Sequence, residues 1–181
     1  MTNRASNFML MDRQRRPIDN WEKWTPPKES YQWQHGHSAM EFAKAWFRRG
    51  SLACPDELLR LLRSSIYTID CQLIEGSPEF VTSLPIAGEG RNHDLWLKAV
   101  FNGKPLTICV EAKADEPFGE TVLNQITKAE AKNPATGIPR RASALLELLF
   151  HRQCDPREQP WSDLRYQLLT AAAGTVRQAV K

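Results

Sequence analysis

The sequence predicts an α+β fold: one small sheet made from a strand meander, with helices before and after it. Three observations carry that prediction. Segments of β-type patterning cluster between residues 79 and 113. The pair Asn102-Gly103 separates two of them, as a hairpin turn does. The flanking stretches repeat apolar residues at helical spacing.

Taken in order, residues 1–34 read as a basic, aromatic arm and residues 35–181 as the folded domain, with Pro26-Pro27 a rigid turn inside the arm. Ser38-Ala39-Met40-Glu41 has the pattern of a capping box. Phe42, Ala45 and Trp46 form an apolar stripe and Gly50 supplies a stop, so residues 38–49 are a predicted helix. Pro55-Asp56-Glu57 opens a second helix whose Leu58, Leu59, Leu61 and Leu62 are core material. Strands are expected at 79–86, 94–101 and 106–113, with Gly88 and Gly90 in the first turn. Helices follow near 119–132, 142–152 and 162–180, the last with Leu164, Leu168, Leu169, Ala172, Val176 and Val180 at helical spacing.

With 181 residues, 41% hydrophobic and 25% charged, the chain suits one ordinary globular domain with a single core. The longest apolar runs fall far short of a bilayer span and the first residues lack a signal-type segment, so a cytoplasmic location is expected. Cys54, Cys71, Cys109 and Cys154 are widely spaced, which argues against a zinc ribbon and fits reduced packing residues. His35-Gly36-His37 lacks a clear third ligand and reads as a loop. The net charge of +3 does not mark a polyanion binder, but its distribution is uneven. Residues 1–50 carry nine basic and five acidic side chains, against four and seven in residues 51–100. Arg13, Arg15 and Arg16 near Trp21, Trp24, Tyr31 and Trp33 have the makings of a phosphate-contacting, base-stacking arm. The favoured reading of these rings is simpler: they cover the domain.

The chemistry concentrates in Asp94-Leu95-Trp96-Leu97-Lys98 and, after the turn, Ile108-Cys109-Val110-Glu111-Ala112-Lys113. Alternation along a strand puts Glu111 and Lys113 on one face and Ile108, Val110 and Ala112 on the core face. If the two strands pair as a hairpin, Asp94 comes level with the Glu111 end. Two carboxylates and a lysine then share a small volume, a set suited to a hard divalent cation and a phosphate.

These residues resemble the PD-(D/E)XK nuclease superfamily, whose signature is an acid opening one strand and Glu-x-Lys on the next. Trp21 to Trp33, Ser38-Ala39-Met40, Ala43-Lys44-Ala45-Trp46, Asp115-Glu116-Pro117-Phe118-Gly119 and Arg165-Tyr166-Gln167-Leu168-Leu169 extend the resemblance, to an uncharacterised bacterial branch, from about Ile18 onward. The resemblance implies an α/β fold of the α+β kind, a restriction-endonuclease-like core with a small mixed sheet flanked by helices. It implies magnesium or manganese held by Asp94 and Glu111, with Lys113 assisting the attacking water. A helix acid would be Glu41, although the capping box already accounts for that glutamate; Glu79 competes as the third acid. Gln167 would take the place of a polar residue from a later helix. Asp115 and Glu116 are read as stabilising the start of the next helix.

Two departures accompany the resemblance. His93-Asp94 stands where the pattern has Pro-Asp, and the chain ends at Lys181, close to the end of the Arg-Tyr-Gln helix, where related proteins continue into a further strand. The expectation is a natural short form, a fragment, or a domain that borrows an edge from a partner, and an unpaired sheet edge would favour a homodimer or a protein partner. The functional expectation is a metal-dependent nuclease acting on DNA or RNA. The alternative is a catalytically inactive module of the same fold that binds nucleic acid or a protein.

Overall fold

The computed structural model describes residues 8–86, 88–114 and 116–181. Among them the fold is α+β, with five α-helices and a four-stranded mixed sheet. The elements are β1 (Met9–Leu10), α1 (Ser38–Trp46), α2 (Asp56–Arg63), β2 (Gln72–Thr82), β3 (Arg91–Phe101), β4 (Lys104–Val110), α3 (Val122–Lys132), α4 (Ile138–Phe150) and α5 (Tyr166–Ala179). Sheet order is β1-β2-β3-β4. β1 runs parallel to β2, with Met9 opposite Glu75, and β3 runs antiparallel to β4 from Phe101 opposite Lys104 to Leu95 opposite Val110. Among the described residues no helix is long and apolar enough to cross a membrane.

The chain divides into two compact units, Met1–Phe80 with His93–Asp115, and Val81–Asn92 with Glu116–Lys181. The first is built on the period of β3. His93, Leu95, Leu97 and Ala99 are buried, while Lys98 between them is exposed. Leu95 and Leu97 join Leu10, Ile18, Trp24, Ala43, Trp46, Leu58 and Leu62 in one core. Phe8, Trp21 and Trp33 pack against that core, so the aromatics of the arm mostly cover the domain, while Tyr31 stays exposed. The second unit gathers Val122, Ile126, Ala142, Leu145, Leu146, Leu169 and Ala173 from α3, α4 and α5.

Several boundaries differ from the sequence reading, each for a tertiary reason. The strand expected at 79–86 is β2, which begins at Gln72, where the arm strand β1 pairs with Glu75 and Gly76. The helix expected at 142–152 begins at Ile138, because Pro139 sits in the first turn, where its missing N–H costs nothing. The helix expected at 162–180 is a 3-10 turn at Trp161–Asp163 followed by α5. The interruption lies where the Leu164 carbonyl accepts the Val122 N–H at 2.8 Å. The strand expected at 106–113 stops at Val110, so Glu111-Ala112-Lys113 lies just past the ladder. The Asn102-Gly103 turn is present as expected, with both residues at positive φ (51° and 73°), the twist a two-residue hairpin loop requires.

Candidate catalytic site

The site is assembled where the β3–β4 ladder ends. Beyond the Leu95–Val110 pair, side chains take over from backbone hydrogen bonds. Asp94 Oδ2 accepts the Ala112 N–H at 2.6 Å, so this carboxylate, rather than a carbonyl, satisfies the amide at the middle of the Glu-x-Lys segment. That bond explains why the strand stops at Val110. It also brings Asp94 against the peptide that joins Glu111 to Ala112.

Glu111 is held from the other side. Its Oε1 lies 3.2 Å from His93 Nδ1, with the Glu111 side chain 8% exposed and that of His93 fully buried. Burial, the largest single influence, pulls the His93 pKa down. Its hydrogen bonds and charge interactions with Cys109 and Glu111 outweigh burial and raise the pKa to about 9. At neutral pH His93 is therefore an imidazolium whose Nδ1–H donates to the Glu111 carboxylate. Lys113, half-buried, follows two residues later. The structure thus brings Asp94 to the Glu111-Ala112-Lys113 segment, as the sequence pattern anticipates.

Glu79 belongs to the same unit and is 3% exposed, inside β2, with φ of 51°. A left-handed glutamate within a strand is costly, and such strain survives only where the surroundings fix it. The Arg13 guanidinium helps to do so by donating to the Glu79 carbonyl at 3.1 Å. Glu41 has a different setting. Its side chain is 46% exposed and its Oε1 accepts from Lys44 Nζ at 2.8 Å and from the Gly36 N–H at 3.1 Å. The Lys44 bond, then the Gly36 bond, holds this carboxyl below the usual glutamate range. The expected capping box is not formed: Ser38 is the first helical residue rather than the cap, the cap His37 makes no side-chain capping bond, and Glu41 instead accepts from the Gly36 N–H. Gln167 stands on α5 in the second unit, with its Oε1 3.6 Å from where a Cβ on Gly119 would lie. Asp115 lies outside the described residues, while Glu116 is half-buried.

Among the described residues of the arm, the arginines are occupied by the protein. Besides Arg13, Arg15 forks onto the Glu75 carboxylate, with Nη2 2.8 Å from Oε2, and Arg16 bonds Asp12 at 2.6 Å. His35 Nδ1 meets Lys44 Nζ at 2.7 Å, and all four cysteines are free thiols.

Among the described residues no group of three or more His, Cys, Asp or Glu side chains is arranged to hold a metal ion. The oxygen donors of Asp94 and Glu111 still fit magnesium or manganese. Magnesium is commonly bound through one or two carboxylates, keeping several waters and taking the rest of its shell from substrate phosphate. Sequence reasoning missed His93, which it registered only as a departure from Pro-Asp. The residue was visible, but its contact with Glu111 depends on strand register and on the break after Val110, which one sequence does not display.

Residues 15–181 match the family described as a domain of unknown function (DUF6946), and the chain belongs to that family. No curated protein and no solved structure matches the chain.

Proposed function

We propose that this member of the family is a metal-dependent nuclease with a restriction-endonuclease-like core, hydrolysing phosphodiester bonds of DNA or RNA in the cytoplasm. The observation that carries the reading is the 2.6 Å bond from the Ala112 N–H to Asp94 Oδ2, which draws the acid of β3 to the Glu-x-Lys segment. Asp94 and Glu111 would hold magnesium or manganese. When bound, that ion would polarise the scissile phosphate and acidify a water. The residues of the chain do the rest. Asp94 aligns the segment, Glu111 presents a carboxylate fixed by His93, and Lys113 orients the water or offsets charge on the phosphate. Glu79, buried within β2, and Glu41, bonded to Gly36 and Lys44, are the two candidates for a third acid.

A second reading, an inactive module binding nucleic acid or a protein, is favoured by one fact: Asp94 and Glu111 each already hold a structural hydrogen bond. Fold and activity are separable, so the choice is experimental. Single- and double-stranded DNA and RNA are incubated with Mg2+ or Mn2+, comparing the full chain with Asp94→Asn and Lys113→Ala. Metal-dependent cutting lost in both variants is expected. Folded protein that cuts none of the four substrates with either ion sinks the nuclease reading and leaves the binding module, whose homodimer or partner is then sought by sedimentation.

A further inference from the structure

The nuclease reading gives Glu111 a task but does not say what aims it. A glutamate has three rotatable side-chain bonds, and at the frayed end of a ladder the backbone alone does not fix them. Ligating carboxylates are themselves usually held by hydrogen bonds from an outer layer, and losing those partners weakens metal binding. His93 meets that description geometrically. It is fully buried, it stands next to Asp94 on β3, and its Nδ1 lies 3.2 Å from Glu111 Oε1. Its contact with Cys109, on β4 two residues before Glu111, braces the ring where the strand ends. Consecutive residues of β3 therefore grip consecutive parts of the segment, Asp94 through the Ala112 amide and His93 through the Glu111 carboxylate.

We propose that His93 is a positioning residue, whose buried Nδ1–H fixes the Glu111 carboxylate so that Glu111 and Asp94 present their oxygens together to a divalent cation. The inference rests on the nuclease reading, since it concerns the same carboxylates. It assigns a role to the residue that replaces the proline of the Pro-Asp pattern: a proline at that position would supply no side-chain donor.

The test is Mn2+ binding to the full chain, measured by titration calorimetry without nucleic acid, for wild type, Glu111→Gln, His93→Leu and His93→Asn. Leucine keeps apolar bulk without a donor, whereas the Asn Nδ2 can stand near the position of the lost Nδ1. Wild type should bind, Glu111→Gln should lose binding, and His93→Leu should weaken it about tenfold or more. His93→Asn should restore most of that loss, which a merely structural cavity effect would not do. A folded His93→Leu with wild-type affinity overturns the positioning role while leaving the nuclease reading intact. Wild type that binds no Mn2+ sinks the metal-dependent reading and this inference with it. If His93→Leu does not fold, His93→Asn decides, and affinity as low as that of Glu111→Gln overturns the proposal. If neither folds, Mn2+ broadening of the wild-type histidine resonances decides: His93 should broaden before His35, His37 and His151, and a sharp His93 in the Mn2+-bound protein overturns it.

Discussion

The two ends of the β3–β4 hairpin are made from the same pair of strands and solve opposite problems. At the closed end, Asn102 and Gly103 turn the chain through left-handed backbone, and the ladder runs undisturbed from the Phe101–Lys104 pair inward. At the open end the registered ladder stops at Leu95–Val110, and Asp94 and His93 bind the departing segment with side chains. The closed end needs only backbone geometry. The open end has exchanged regular hydrogen bonds for contacts made by two carboxylates and an imidazole, with Lys113 two residues further along the chain, and that exchange is what makes it a candidate for chemistry.

The largest effect should come from breaking the open end without unfolding it. Asp94→Asn keeps an oxygen to accept the Ala112 N–H but loses the negative charge, so the protein should stay folded while metal-dependent cleavage falls by at least about a hundredfold. Asp94→Ala removes the acceptor as well. It should lose cleavage and also about 1–3 kcal/mol of stability, the cost of leaving a partly buried amide unsatisfied. Denaturant titration of the two variants separates these roles. Equal stability in both would show that the 2.6 Å bond contributes nothing.

Next in size is the His93–Glu111 pair. Removing one partner of a buried ion pair costs about 3 kcal/mol or more, so Glu111→Gln should be among the most destabilising single changes in this unit. The pair also gives the protein a pH signature. The folded pKa of His93, about 9, lies above its ordinary 6.5, so the folded state binds the proton more tightly than the unfolded chain does. The stabilisation is complete below about pH 6.5, declines as pH rises, and is gone above about pH 9. The full swing is on the order of 3 kcal/mol, with Cys109 and Glu111 as the groups facing the ring. Unfolding free energy measured from pH 6 to 9.5 should fall in wild type and much less in Glu111→Gln; parallel curves would refute the paired imidazolium.

This contrast also explains how far the sequence was legible. The closed end could be read directly because Asn-Gly between strand-like segments specifies a turn by local sterics. Asp94 and the Glu-x-Lys triplet were legible as a pattern, and the strand direction needed to bring them together follows from a two-residue loop. What could not be read is everything that depends on partners distant in sequence. His93 gains its meaning only through Glu111, eighteen residues later. The early part of β2 is paired with the arm strand at Glu75 and Gly76, and the carbonyl of the left-handed Glu79 accepts from the Arg13 guanidinium. Glu41 illustrates the reverse case. Its helix-start signature was local and the carboxylate does serve the chain entry, through Gly36, so Glu41→Gln should cleave at the wild-type rate while Glu79→Gln should not.

The smallest effect belongs to the closed end, and its smallness is the point of measuring it. Gly103 has φ of 73° and open space around the position a Cβ would take, so Gly103→Ala meets no neighbour and costs only the left-handed backbone of an L-residue, about 1 kcal/mol. The turn lies several residue pairs from Leu95–Val110, and the intervening ladder should absorb the change. Mn2+ affinity and cleavage should therefore match wild type while the melting temperature drops by a few degrees. If Gly103→Ala instead weakened metal binding, the two ends would be coupled through strand register, and the open end would owe its geometry to the turn rather than to Asp94 and His93.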